Sequence, residues 1–310
     1  MDRPRPVPAA DLAPRPRRED LGLSRRQLLR FATLAAGAGL AGVPLGACTP
    51  EQLANIKNRP VRRDITSAAA QKDINSYRTA ITKMQQLPSS DRRNWTSQAQ
   101  IHNDHCRHQS WLFFPWHRAY LFYFEQICRE LSGDATFALP YWNWTANPQI
   151  PAVFWDTSSP LYHSPRGATS SSVASAASVG SAVVTPMLDE PNFLTFAGAA
   201  TSLNDTALFG PGYGLVEQTP HNYIHNFVGG DMLTFMSPLD PIFWTHHNRV
   251  DELWVEWNIL KDHPNTSDQT WWQTGFTDFC DGKGNPVTIS VLATVLMPLL
   301  SYRFDTQVTP

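Results

Sequence analysis

The chain has 310 residues, 25 Lys+Arg against 27 Asp+Glu, and a formal net charge of −2, which argues against a nucleic-acid or anionic-membrane partner. Its length suits one catalytic core preceded by a leader, not a string of domains. Eleven Trp and sixteen Phe are more than a core of this size needs, so most are expected to pack helices and the remainder to line an apolar pocket.

Residues 1–47 read as a leader. A Pro/Arg-rich start leads to Ser24-Arg25-Arg26-Gln27-Leu28-Leu29-Arg30, which resembles a twin-arginine export signal. The apolar run Phe31–Ala47 is too short and glycine-rich for a membrane span. Leu45-Gly46-Ala47-Cys48 resembles a bacterial lipobox, with Cys48 acylated as the mature N-terminus; ordinary signal-peptidase cleavage nearby is the alternative. Residues 48–60 are then a tether and 61–310 the core. The product is expected to be exported, periplasmic or at the cell surface, and lipid-anchored.

Beyond the tether, Ile65, Ala69, Ile74, Tyr77, Ala80, Ile81 and Met84 recur at helical spacing and predict a helix over 64–86. A second helix is expected over 91–105 after a Ser89-Ser90 cap, and a third from about Pro115 to Leu131, stopping before Gly133. Residues 145–216 are the least regular stretch, with a low-complexity tract from Ser164 to Ser181. They read as a surface excursion that forms one rim of a site and carries no ligands. His163, and later His263, read as solvated loop histidines.

From Pro220 to Trp254 the pattern changes. His221 and His225 are four apart and share a helix face. Gly229-Gly230 ends that helix, and Asp240-Pro241 opens another that carries His246-His247. Upstream, residues 101–125 offer His102, His105, His108 and His117. Two groups of histidines suggest two metal ions. Imidazoles without carboxylates or thiolates favour copper over magnesium, calcium or manganese, and zinc is compatible by ligand type alone.

Two segments make the reading specific. His108-x4-Phe113-Phe114-Pro115-Trp116-His117-Arg118, followed by Leu121 and Glu125, resembles the CuA signature of the tyrosinase, polyphenol oxidase and molluscan haemocyanin family. Asp240-Pro241-Ile242-Phe243-Trp244-Thr245-His246-His247-x3-Asp251 resembles its CuB signature. The resemblance spans most of residues 95–260. It implies a mainly α fold, an antiparallel four-helix bundle with long irregular loops that holds two copper ions. CuA would be held by His102, His108 and His117, with His105 as the alternative to His102. CuB would be held by His221, His225 and His247, with His246 a neighbour.

Further roles follow only from the resemblance. Cys106 and His108 would be joined by a thioether. Glu217 and Asn222 would hold a water beside CuB that accepts a phenolic proton, and a gate residue should fall within 232–236. Asp251 would orient Arg118. Tyr302-Arg303-Phe304 would close the core against Arg62, and no C-terminal shielding domain is expected after it. Cys128 and Cys280 are left over, and only parity suggests a disulfide between them.

The implied activity is oxidation of phenols by O2, o-diphenols to o-quinones, together with ortho-hydroxylation of monophenols. The partners would be O2, small phenols and a copper chaperone. The rival readings are haemocyanin-like O2 binding and a non-redox metal-binding surface protein.

Overall fold

The apolar positions between Ile74 and Met84 share one face, and the helix they build, α1 (Gln71–Gln86), buries Ile74, Tyr77, Ala80, Ile81 and Met84. It starts later than its periodicity suggests. Val61–Arg62 (β1) is taken up in a parallel pair with Arg303–Phe304 (β2), and Ala68–Ala70 form a 3-10 turn capped by Ser67. The structure, a computed structural model, describes residues 58–307. The twin-arginine stretch, Cys48 and nearly all of the expected tether lie outside the described residues. Residues Arg59–Gln307 form one unit.

Helix α2 (Trp95–His105) begins at Asn94, whose side-chain oxygen accepts from the Thr96 and Ser97 amides at 2.9 and 3.4 Å. The Ser89-Ser90 pair is not the cap, because an Asp91–Arg93 turn intervenes. Helix α3 (Phe113–Ser132) is the central element, and Gly133 ends it in the left-handed conformation (φ 76°), where a side chain would be strained. Against α3 pack α1, α5 (Ile242–Val255, every residue buried) and α6 (Val291–Leu300). Phe124 of α3 stacks on Trp244 of α5 with ring centroids 3.5 Å apart, and the Tyr77 hydroxyl donates to the Pro241 carbonyl at 2.8 Å. A short helix, α4 (Asn222–Val228), follows a π-type turn over Glu217–His221.

The long stretch 145–216 is more ordered than its composition suggests. It forms short helices over Ala176–Val179, Ser181–Asp189 and Phe193–Ala197 that bury Val184, Met187, Leu188, Phe193 and Phe196. Phe196 stacks between Phe114 at 5.2 Å and Trp257 at 4.6 Å. The few apolar residues spaced for burial decide the packing, and the many Ser and Ala residues around them hide the pattern.

One buried polar joint ties Arg62 of β1 and Tyr302, just before β2, to helices α3 and α5. The Arg62 guanidinium, wholly buried, donates to Glu125 at 2.8 Å, Asp251 at 3.1 Å and Asn248 at 2.8 Å, and lies 3.5 Å over the Tyr302 ring. Asp251 also accepts from Arg118 Nε and the Tyr302 hydroxyl, both at 2.5 Å. Buried charges of this kind persist only when paired with opposite charge, and removing one partner typically costs about 3–5 kcal/mol. Among the described residues no helix is long and apolar enough to cross a membrane. Cys106, Cys128 and Cys280 are all free thiols. The disulfide suggested for Cys128 and Cys280 is therefore absent, and Cys280 instead lies 3.8 Å from the Gln98 amide nitrogen.

Candidate metal centre

Four helices deliver the histidines. His102 comes from the last turn of α2, His108 from its exit loop, and His117 from the second turn of α3. Their ring centroids lie 5.1 to 5.6 Å apart. His221 ends the π-type turn, His225 lies on α4 and His247 on α5, with centroids 4.6 to 5.4 Å apart. The wider turn before α4 does not separate His221 from His225, which remain neighbours. His105, on the other side of α2, is half exposed and turns towards Asp278 at 3.7 Å.

The nitrogens show what these rings are arranged to do. His102 Nδ1 lies 2.8 Å from the Phe235 carbonyl, His117 Nδ1 2.8 Å from the Phe113 carbonyl, and His225 Nδ1 2.7 Å from the Met232 carbonyl. Asn222 Oδ1 faces His221 Nδ1 at 3.0 Å. A carbonyl only accepts, so each Nδ1 carries the proton and each Nε2 presents a lone pair. The Nε2 atoms of His102, His117 and His221 are buried with no hydrogen-bond partner. Burial pushes the rings far below the ordinary imidazole range, His102 to about 3 and His225 to about 4, so they stay neutral. Six buried imidazoles, those of His102, His108, His117, His221, His246 and His247, have orphaned nitrogens, a heavy cost to an empty core that disappears if the lone pairs face cations.

The spacing fits as well. Nε2 of His225 and Nε2 of His247 are 3.2 Å apart, a separation suited to two donors that share one ion at roughly 2.0–2.1 Å. Donor atoms of His102, Cys106 and His108 lie within 4.8 Å of one another, as do those of His221, His225, His246 and His247. His246 is fully buried with neither ring nitrogen bonded, so its place beside the second cluster is closer than a mere sequence neighbour suggests. Cys106 is wholly buried, and burial pushes its thiol up to about 12.

Several supports were not visible in the motifs. Gln109, next to His108, sits at φ 54°, uncommon for a non-glycine residue. Its N–H is held by both carboxylate oxygens of Glu217 at 2.9 Å. Glu217 is buried, and burial raises its carboxyl to about 8 against the opposing Gln109 hydrogen bond. The loop over 229–237, which provides the Met232 and Phe235 carbonyls, is itself pinned from the long excursion. Arg166 makes two hydrogen bonds to the buried Asp240, at 2.8 and 2.7 Å. His163 is not simply solvated: its Nε2 lies 2.8 Å from an Asp231 carboxylate oxygen. The Gly229-Gly230 pair does more than end a helix, since a Cβ on Gly230 would come within 1.9 Å of the Pro165 carbonyl. His263, the other loop histidine, rests on the Trp257 ring at 5.2 Å.

Above the histidines lies a cavity of about 360 Å³ whose wall includes Glu217, Asn222, Asn226 and Phe235. The Phe235 ring lies 6.2 Å from that of His102 and 6.0 Å from that of His108, on the histidine-facing side of the 232–236 segment.

A helical core that brings two triads of neutral imidazoles together beneath an open cavity defines a dinuclear metal protein with histidine ligands. The family profile described as the common central domain of tyrosinase matches residues 75–193 and 157–260. The chain belongs to the tyrosinase family, whose members use a dinuclear copper centre. It is 32% identical over 292 residues to a chloroplastic polyphenol oxidase A1 of Vicia faba, covering 80% of this chain and 48% of that protein. To the chloroplastic catechol oxidase B of Solanum tuberosum it is 31% identical, over 78% of this chain and 48% of the relative. The structure of latent apple tyrosinase superposes with a TM-score of 0.71 at 29% identity, covering 80% of this chain and 62% of that one. The chain thus spans about half the length of the curated relatives it matches.

Proposed function

We propose that this protein oxidises phenols with molecular oxygen at two copper ions, converting o-diphenols to o-quinones and hydroxylating monophenols at the ortho position. The observation that carries this reading is the set of unpartnered Nε2 lone pairs of His102, His117 and His221 beneath the cavity. In this reading His102, His108 and His117 hold CuA, and His221, His225 and His247 hold CuB. Copper supplies the electron transfer to O2 that no side chain can perform. The chain supplies the rest.

The backbone carbonyls at Phe113, Met232 and Phe235 fix ring orientation by taking the Nδ1 protons. Phe235, as the gate, confines a flat phenolic ring above the histidines. A phenol has a pKa near 10, so at pH 7 the anion is scarce by roughly 4 kcal/mol. Burial raises Glu217 at the cavity wall to about 8, so roughly one-tenth of it is ionised at pH 7, and in that carboxylate form it would hold, with Asn222, the water that accepts the phenolic proton. The relatives' names, polyphenol oxidase, catechol oxidase and tyrosinase, fit both activities.

The test is oxygen uptake with a catechol and its matching monophenol by copper-loaded protein. Stoichiometric, reversible O2 binding without quinone would point to a carrier, and no O2 chemistry to a non-redox site. Glu217→Gln should lower monophenol turnover about 10²- to 10⁴-fold more than catechol turnover. Equal losses would leave a catechol oxidase alone.

For residues 1–60 the proposal rests on motifs. In this reading residues 1–47 are a bacterial twin-arginine signal, Cys48 is acylated, and 48–60 tethers a core over 61–310 at the periplasmic or cell surface. Twin-arginine export suits a protein folded around copper, delivered by a chaperone, before it crosses the membrane. Cys48→Ser should release the protein from the membrane fraction. A native N-terminus at another residue would overturn the lipid anchor.

A further inference from the structure

The histidine floor of the cavity is shared with the site already described, but its mouth is not. Eight large hydrophobic side chains are conspicuously exposed among the described residues, and three of them, Phe209 (51%), Tyr213 (44%) and Leu233 (60%), line this one cavity. Large exposed apolar groups gathered at one opening mark a surface that something apolar covers. Phe209 and Tyr213 come from one strap, and Leu233 faces them from the 229–237 loop.

The strap is held firmly. His108 N–H donates to the Leu208 carbonyl at 2.9 Å, Gly210 N–H to the His108 carbonyl at 2.8 Å, and Gly212 N–H to the Gln109 carbonyl at 2.9 Å. Gln109 Nε2 reaches the Tyr213 hydroxyl at 3.0 Å. The Phe209 ring meets that of Phe235 at 5.5 Å. Phe209 and Tyr213 therefore extend the apolar wall outward from Phe235 as a shelf fixed to the metal-site backbone, and Leu233 lines the same cavity from the 229–237 loop. The charge of the wall is equally informative, since among the described residues no Lys or Arg lines the cavity and its one carboxyl belongs to Glu217.

We propose that Phe209, Tyr213 and Leu233 form an outer subsite that selects uncharged phenols carrying a second apolar ring or chain para to the reacting hydroxyl, and disfavours phenols carrying a carboxylate. The inference rests on the phenol-oxidase reading and specifies its substrate class. A single-ring phenol fills only the floor and leaves the shelf wet. A second ring lies on the shelf, and removing roughly 60 Å² of apolar surface from water is worth about tenfold in affinity. A carboxylate at the same position would lose water against apolar walls and find no cation to replace it.

The experiment compares 4-methylcatechol, 4-(2-phenylethyl)catechol and 3-(3,4-dihydroxyphenyl)propanoate as substrates of the copper-loaded protein. The expected order of kcat/KM puts the two-ring catechol about tenfold above 4-methylcatechol, with the carboxylate lowest. Leu233→Ser and Phe209→Ser should shrink the two-ring advantage towards unity, whereas Leu233→Phe should keep it. Leu233→Arg, at an exposed position, should lower KM for the carboxylate and reverse its disadvantage, a gain that misfolding cannot imitate. Calorimetric Kd values of the dimethyl ethers of the one-ring and two-ring catechols, which cannot form quinones, read the shelf even if no catechol is oxidised. That separates failure of the subsite from failure of the oxidase reading. A two-ring preference under about twofold in both turnover and binding, or a Leu233→Arg variant with unchanged discrimination against the carboxylate, would overturn the proposal.

Discussion

The ring of His117, on α3, lies flat against that of His247, on α5, with centroids 4.5 Å apart and planes only 10° from parallel. These two histidines belong to different triads, so the halves of the site meet in direct van der Waals contact. A change at one is felt at the other.

Two copper ions per chain are therefore expected, with coupled loss. His117→Ala and His225→Ala should each leave at most one copper, measured by elemental analysis of the folded protein. Because the rings touch, the surviving copper should also bind more weakly than either does in the wild type. Wild-type occupancy by two ions in both variants would remove these residues from the ligand set.

The pH dependence of the copper-free protein follows from two opposed groups. The buried imidazoles have folded pKa values below their unfolded value of 6.5, about 3 for His102 and about 4 for His225. The unfolded chain thus binds more protons in this window, and the stability these rings contribute is present above pH 6.5 and lost as pH falls towards 4. Glu217 is the reverse case, with its folded value raised from 4.5 to about 8. The folded state keeps this proton longer, so its contribution is full below pH 4.5 and declines as pH rises to 8. Melting temperature should accordingly drop steeply below pH 6.5 and sag gently towards pH 8. Glu217→Gln should flatten the upper sag and, because the Glu217 contribution already declines above pH 4.5, steepen the acid limb between pH 4.5 and 6.5.

Arg166 is predicted to hold both coppers without touching either. Its doubly hydrogen-bonded pair with the buried Asp240 anchors the loop that supplies the Phe235 carbonyl to His102 and the Met232 carbonyl to His225. Arg166→Ala leaves a buried carboxylate unpaired, at a cost of about 3–5 kcal/mol, and should weaken copper binding at both positions. His163→Ala, which removes a more exposed pair, should cost about 0–1 kcal/mol and leave the copper content intact. Denaturant midpoints and copper titration read the two effects separately.

Cys106 is the candidate for covalent attachment to His108. In protein matured with copper and O2, the peptide containing both residues should be lighter by two hydrogens than their unlinked masses, with O2 as the acceptor. Cys106→Ser should restore the unlinked mass. An unmodified thiol that alkylates fully after denaturation would leave Cys106 as a plain buried residue.

The local part of this protein was legible in its residues. Helix spacing over 71–86, the left-handed stop at Gly133, the His221/His225 pair four apart and the proline-led start of α5 all depend on contacts within about four positions along the chain, where residue type determines geometry. The same holds for the histidine-bearing motifs around His117 and His247, and Arg62 met Tyr302 as the family resemblance implied. What only the tertiary structure decided lies across long separations. The acceptors for His102 and His225 are backbone carbonyls, which every residue has, so no letter at 232 or 235 announces them. Glu217 reaches Gln109 across 108 positions and Arg166 reaches Asp240 across 74, pairings that an isolated acid or arginine does not advertise. The ordering of 145–216 and the free state of Cys128 and Cys280 belong to the same class. Their physical cause is burial, which acts on whichever side chains the fold brings together, and burial is a property of the packed chain, not of any segment.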